Sequence, residues 1–550
     1  MSEFEKIILK IINKKPKSKA EFDDIRRKVC NSLKIPQVSN RNLLQSYQNL
    51  VKKKRVKADK QLEFFMRKAG IRTLSGVVIV TSLTKPYACP GKCIYCPSEA
   101  RMPKSYLSSE PAAARALNLA FDPYQQMVKR IDMLKKSSHP TDKIEYIIKG
   151  GSWNFYPLKY QYWFILESFR ACNNLTRSKK QKKYPQTSTL KNLQTNLEKE
   201  QNYNDKKAKH KIIGLTLETR PDLVTPESIF HMRQMGCTRI ELGLQAPDDK
   251  ILELTKRGHT VQQFKDAMHL LRQAGFKVDL HFMPDLPGSN AKHDVEMYKM
   301  LFSDPGFKPD MIKIYPCTVI KSAPLYKWIK AGKYKPYSEK KLFEALIEMK
   351  SATPGYCRIS RLIRDIPTPD IEAGNMITNL REYLNSEMKK RGLKCECLRC
   401  REVGHVSKLA STQISKLIPK LFVDKYETTG GDEYFLSFED SERQVVFAFL
   451  RLRIPYSTSD ILNSKLPEIK DSAFIRELHT YGQLLDVGKQ DKKSSQHKGM
   501  GKKLVLEAEK IAKKNGFEKL AVISGVGVRG YYRKLKYRKQ GTYMVKTSQN

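Results

Sequence analysis

A chain of 550 residues is longer than one hydrophobic core usually organises, so two or three domains are expected. Lys and Arg number 102 against 57 Asp and Glu, a formal net charge of +45 spread along the chain; such a field attracts polyanions, although solubility alone could also account for it. No apolar run reaches transmembrane length and the amino terminus lacks a signal-peptide cleavage site, which excludes a membrane span and a secretory leader and predicts a cytosolic protein.

Residues 1–70 are Lys-rich, with helical spacing of Ile, Leu and Phe, and include the run Lys52, Lys53, Lys54, Arg55; they predict a small basic helical module. From residue 71 to 390 the rhythm changes. The apolar segments 76–80, 144–148, 212–217, 239–244, 277–283 and 311–315 alternate with helical stretches, among them Pro111–Lys136, Pro226–Met235 and Val261–Ala274, the last stopped by Gly275. Six strand–helix units with no dinucleotide fingerprint after the first strand predict an α/β fold, a partial (β/α)6 barrel resembling a TIM barrel, with active residues at the strand carboxyl ends. Within it, Asn173 to Lys211 is rich in Lys, Asn and Gln and reads as a mobile insertion. Residues 391–410 form a linker with a second cysteine group. Residues 411–550 turn strand-rich at 435–438 and 445–454, then give a helix from Gly499 to Asn515 and a strand at 520–524, a separate α/β domain.

Eleven cysteines are present, and six fall in two tight groups, which is not how a disulfide framework is distributed. The other five, Cys30, Cys172, Cys237, Cys317 and Cys357, stand singly in apolar surroundings and read as core residues. Cys89, Cys93 and Cys96, spaced C-x3-C-x2-C just past the first strand, can hold three corners of a [4Fe–4S] cluster and leave one iron open, with a zinc knuckle as the alternative. Cys395, Cys397 and Cys400, followed by His405, fit a closed structural zinc site; a second iron–sulfur cluster is the rival, and His281 could replace His405 as the fourth ligand. Gln496, Lys498, Gly499, Met500 and Gly501 precede the last long helix, where glycine lets backbone amides and the helix dipole approach a pyrophosphate.

The first cysteine group resembles the hallmark of the radical S-adenosylmethionine superfamily. That likeness implies S-adenosylmethionine at the open iron, Gly150 and Gly151 receiving its methionyl amino group, and Glu218, Arg220 and Gln245 at strand ends facing cofactor or substrate. Gly525-Val526-Gly527 followed by Arg529 to Leu535 is similar to the GNAT acetyltransferase fold. This implies acetyl-coenzyme A at the helix start and Tyr532, with Tyr531 beside it, near the thioester; Lys536 stands where that pattern usually has glycine.

Taken together, GLTLETRPD (214–222), GCTRIELGLQ (236–245), RGHTV (257–261), MPDLPG (283–288), REVG (401–404) and FIRELHTYG (474–482) resemble the Elongator catalytic subunit family of tRNA uridine carboxymethyl synthases from about residue 72 onward. The resemblance implies modification of the wobble uridine of tRNA at carbon 5 by joined radical and acetyl-coenzyme A chemistry. The anticodon stem-loop would be the RNA partner, with Lys52 to Arg55 and the Lys179–Lys183 region as candidate contacts. The short C-x3-C spacing is closer to prokaryotic members. Self-association as a homodimer and accessory subunits are left open. Two rivals are a protein lysine acetyltransferase with an accessory iron–sulfur barrel, and a tRNA-binding scaffold whose cluster is structural.

Overall fold

The computed structural model describes every residue except 68–75, 176–183, 185, 186, 405, 407–416, 458, 459, 482–498 and 548–550. Four short helices come first: α1 (Glu3–Asn13), α2 (Lys19–Ser32), α3 (Asn40–Lys52) and α4 (Lys60–Met66). Each starts at an oxygen-bearing cap, Ser2, Ser18, Ser39 or Asp59, whose side chain accepts a first-turn backbone N–H. Ile7, Ile11, Phe22, Leu43, Tyr47 and Phe65 close a core of their own, and Lys52 to Arg55 are left exposed. The Gln48 amide donates to Ser138 at 2.9 Å and ties this module to the next.

Seven strands then form one parallel sheet in sequence order: β1 (Val78–Leu83), β2 (Lys143–Lys149), β3 (Lys211–Thr219), β4 (Arg239–Gln245), β5 (Lys277–Phe282), β6 (Met311–Ile314) and β7 (Arg358–Arg361). β1 and β7 are its open edges, so this is a partial barrel. The central strands are covered on both faces, and every residue of β4 is buried, which explains their nearly unbroken apolar runs. Six strands were legible; the seventh, RISR, is too short and too charged to read as one.

Two further differences have physical causes. The stretch Pro111–Lys136 is two helices, α5 (Pro111–Asn118) and α6 (Pro123–Lys136), because Ala120 and Phe121 take positive φ and Pro123 restarts the chain behind the cap Asp122. Gln126 of α6 then exchanges two 2.9 Å hydrogen bonds with the Leu83 backbone and covers the edge of β1. Within the expected insertion at 173–211, Leu190–Lys206 form a helix, α8, packed on α7 (Leu158–Asn173). Leu193 and Leu197 supply an i, i+4 apolar stripe, while Asn204, fully buried, donates to Asn173 and to the His210 carbonyl and accepts from Ile212 N–H. These contacts pack the helical part of a segment whose composition is mostly polar. The Lys179–Lys183 region lies outside the described residues.

The second sheet has seven strands in the order β13-β14-β12-β11-β10-β9-β8, formed by β8 (Lys420–Thr428), β9 (Gly431–Glu439), β10 (Val446–Pro455), β11 (Ser472–Thr480), β12 (Lys519–Val522), β13 (Arg538–Gln540) and β14 (Tyr543–Thr547). All its pairs are antiparallel except β11 with β12. The helix Met500–Lys514 lays Leu504, Val505, Ala508 and Ala512 against this sheet.

The second sheet closes a core of its own with that helix, and its other face packs on the barrel. Phe474, Ala521, Val526 and Tyr543 of the second pack into the cluster built by the barrel helices and strands. Beside that seam lies a buried ion network: Arg476 and Arg272 reach Asp310 and Glu433, Arg453 reaches Glu433, and Arg451 bonds Glu477 at 2.9 Å. Gly525 and Gly527 belong to this seam as well, since a Cβ at Gly525 would lie 1.9 Å from the Ile213 carbonyl and one at Gly527 2.9 Å from that of Ile212. Among the described residues no helix is long and apolar enough to cross a membrane.

Candidate active site

The carboxyl ends of the barrel strands gather a polar cluster that the sequence reading found only in part. Lys149 ends β2, Glu218 lies near the end of β3, and Glu241, His281 and Lys313 point inward from β4, β5 and β6, where the register pairs Glu218 with Glu241 and His281 with Lys313. Lys149 Nζ lies 3.1 Å from Glu218, Lys149 and Lys313 both contact the buried Glu241, and His281 Nε2 is 3.3 Å from the same carboxylate. Tyr106 donates to Glu218 at 3.2 Å. Burial opposes ionisation of Glu218, but the ammonium groups of Lys149 and Lys313 beside it outweigh that and hold the carboxyl at about 2. Burial, with Lys313 adding to it, pushes His281 well below the ordinary imidazole range, so the ring is neutral. His281 therefore belongs to the barrel and is no ligand of the second cysteine group. A signal for these residues existed: each is a charged or polar side chain at an inward position of an otherwise apolar strand.

The first cysteine group lies on the loop after β1. Cys93 is buried, and Ile94 N–H donates to the Thr255 carbonyl at 3.1 Å. The hydrogen bond with Cys96 draws the Cys93 thiol down to about 4, against burial and with help from Arg257. Cys89 stands apart, half-buried and on the side of Tyr156. Three thiols on one loop at a strand end, two already adjacent, are a donor set that fits an open-corner cluster. Gly91 makes the loop possible, since a Cβ there would lie 2.2 Å from Arg220 Nη1.

Arg220 lies against the cysteine loop, and its donors go to Asp222 and to the carbonyls of Arg257 and Gly258, all at 2.9 to 3.2 Å, so it braces the RGH segment. Gly150 takes φ +129° with Thr84 so close that a Cβ would overlap its hydroxyl, whereas a Cβ on Gly151, at φ +94°, would meet open space. Gln245 is buried with φ +79° at the end of β4.

Cys395, Cys397 and Cys400 bring their sulfurs within 4.8 Å of one another. Cys397 opens the turn Leu398–Arg401, and Leu398 N–H donates to the Cys357 carbonyl beside β7 at 2.8 Å. Glu402 then bridges to Val446, which fastens this linker to the second sheet. The set suits a thiophilic ion; His405 lies outside the described residues.

In the second sheet, β11 pairs with β12 only over Ser472 to Ile475, and beyond that, from Glu477 to Thr480, it is held by β10 alone. Beside this end of β11, Thr480, the start of the helix Met500–Lys514 and Tyr531 come together. Gly499 caps that helix with φ +95° and, being glycine, brings no capping side chain to its first amides. A Cβ on Gly501 would lie 2.9 Å from Tyr531 Oη and 3.2 Å from Thr480. Tyr531 is half-exposed there, while Tyr532 is buried among the apolar residues beneath the sheet. Gln496 and Lys498 lie outside the described residues.

A parallel half-barrel with a three-cysteine loop after its first strand defines a radical S-adenosylmethionine enzyme, and residues 185–301 match the Radical SAM superfamily, 309–390 its Radical_SAM C-terminal domain. The chain is 43% identical over 490 residues to a tRNA uridine(34) acetyltransferase of Methanocaldococcus jannaschii, covering 88% of this chain and 86% of the relative. It is 40% identical to the Dehalococcoides mccartyi protein of the same name, covering 86% and 98%, and 36% to human Elongator complex protein 3, covering 86% and 85%. The solved structure of Methanocaldococcus infernus Elp3 lacking residues 1–46 superposes with a TM-score of 0.71 at 38% identity, over 86% of this chain and 99% of that one. The chain thus belongs to the family of tRNA uridine(34) acetyltransferases and Elongator complex protein 3.

Proposed function

We propose that this enzyme modifies carbon 5 of the wobble uridine of tRNA with a carboxymethyl-type group drawn from acetyl-coenzyme A. The observation that supports the reading is a three-thiol loop on a half-barrel packed against a second sheet that carries a glycine-opened helix start. The relatives' names supply the substrate class. Carbon 5 of uracil is too weak a nucleophile for direct acetyl transfer, which is why the two sites are needed together.

A cluster held by Cys89, Cys93 and Cys96 would supply, from S-adenosylmethionine, the 5′-deoxyadenosyl radical that an acetyl methyl group requires before its carbon can join the base. Gly150, Gly151 and Gln245 are the backbone and side-chain contacts assigned to that cofactor, and Glu218 is assigned to its ribose or to the substrate. Gly499, Met500 and Gly501, with Gln496 and Lys498, bind the pyrophosphate of coenzyme A through amides at a positive helix end. Tyr531 places a phenol by the thioester, where it orients water or protonates the leaving thiolate, and Tyr532 supports it from the core. Cys395, Cys397, Cys400 and His405 hold a structural zinc that pins the linker. The exposed Lys52 to Arg55 and the overall positive charge meet tRNA phosphates.

The test is anaerobic incubation of reconstituted protein with S-adenosylmethionine, acetyl-coenzyme A and tRNA, followed by mass spectrometry of the wobble nucleoside. A carboxymethyl-type adduct together with 5′-deoxyadenosine is the expected outcome, and unmodified uridine would refute the assignment. Acetyl-coenzyme A turnover stimulated by a basic peptide and indifferent to tRNA would instead identify a protein acetyltransferase.

A further inference from the structure

Behind the Cys89–Cys96 loop stand two arginines with different environments. Arg220 is ion-paired with Asp222. Arg257 is 8% exposed, and among the described residues no carboxylate pairs with it. Its Nε donates to His259 Nε2 at 3.0 Å and its Nη2 to the Gly243 carbonyl at 2.7 Å. The remaining arm, Nη1, lies 3.6 Å from Cys93 Sγ. The guanidinium packs so closely on the Gly243 backbone that a Cβ there would lie 2.6 Å from Nη2, and Arg220 holds the Arg257 backbone carbonyl at 2.9 Å. A buried cation with no acidic partner is costly unless something nearby carries the opposite charge, and the groups facing its free arm are thiols.

We propose that Arg257 tunes the reduction potential of the iron–sulfur cluster, by a charge-assisted N–H···S hydrogen bond from Nη1 to the Cys93 thiolate. This rests on the reading of the loop as a cluster site. A cluster gains one negative charge on reduction, so a fixed cation against a ligand sulfur stabilises the reduced form more than the oxidised one and raises the potential. The consequence is easier loading of the electron needed to cleave a sulfonium. Arg257 is accordingly a positioning and tuning residue, not a catalytic one.

The test compares wild type with Arg257→Lys, Arg257→Gln and Arg257→Met after anaerobic reconstitution. Iron and acid-labile sulfide are counted, and each protein is reduced stepwise against mediator dyes with electron paramagnetic resonance as the readout. The Gln and Met variants should hold wild-type iron yet reach half-reduction at a lower potential, with Lys between them and wild type. Half-reduction at the wild-type potential in whichever variants load iron overturns the proposal, and so does loss of iron from all three, which would make Arg257 a scaffold residue. A wild-type protein that assembles no cluster removes the reading beneath it. A wild-type cluster that yields 5′-deoxyadenosine, beside variants of unchanged potential, removes this inference alone.

Discussion

Lys536 follows the short helix Arg529–Lys534 and its cap Leu535 with φ +70°, donating its N–H to the Arg533 carbonyl at 3.0 Å. This left-handed turn explains why glycine is the usual residue there, and a side chain with a Cβ is strained in it. Lys536→Gly should raise the unfolding free energy by about 0.5 to 1 kcal/mol, read as a shift in denaturant midpoint at unchanged slope. The neighbouring tyrosines separate by burial in a way that no spacing could show. Tyr531→Phe should slow acetyl-coenzyme A turnover by about 10- to 100-fold while leaving the denaturant midpoint in place, because only the half-exposed hydroxyl beside Gly501 is removed. An unchanged turnover would return Tyr531 to packing.

Among the elements, α8 is where composition and structure diverge most. Its Leu197 is 1% exposed, so Leu197→Ala should cost about 2 to 4 kcal/mol of stability by equilibrium unfolding, whereas a mobile insertion would tolerate it without loss. The strands of the barrel were legible because each is a short apolar run bounded by turn residues, and their register then gathers Lys149, Glu218, Glu241, His281 and Lys313 without further instruction. The missed strand β7 is held by its neighbours rather than by its own four residues, as Leu398 N–H and the Cys357 carbonyl beside it illustrate. Gly525 and Gly527 show the same limit from the other side: in sequence they accompany a cofactor-binding pattern, and in space they are where the second sheet touches β3.

At the scale of the molecule, the two functional halves are joined by a buried ionic seam as well as by apolar packing. Asp310→Asn leaves Arg272, Arg451 and Arg476 short of a counter-charge and should cost about 3 to 5 kcal/mol, measured by denaturant unfolding. Glu477 gives the seam a pH signature. Burial opposes its ionisation, but Lys277 and Arg451 hold the carboxyl at about 2, below its ordinary 4.5. A depressed carboxyl contributes stability that is complete above the unfolded value and lost as pH falls through the folded one, so about 3 kcal/mol should disappear between pH 5 and pH 2. Glu477→Gln should flatten that fall in unfolding midpoint against pH; an equally steep profile in the variant would assign the loss to other carboxylates.

The family and the half-barrel were legible in the sequence alone, because cysteine spacing, strand–helix alternation and short motifs are local patterns whose meaning does not depend on the rest of the chain. Which groups meet was settled only by folding. Arg220 came to brace a loop, Arg257 came to Cys93 from 164 residues away, and the second domain, with a core of its own, packs part of its sheet into the barrel cluster. Contacts of that kind arise from strand register and from the need to satisfy buried charge, and neither is written at any one position.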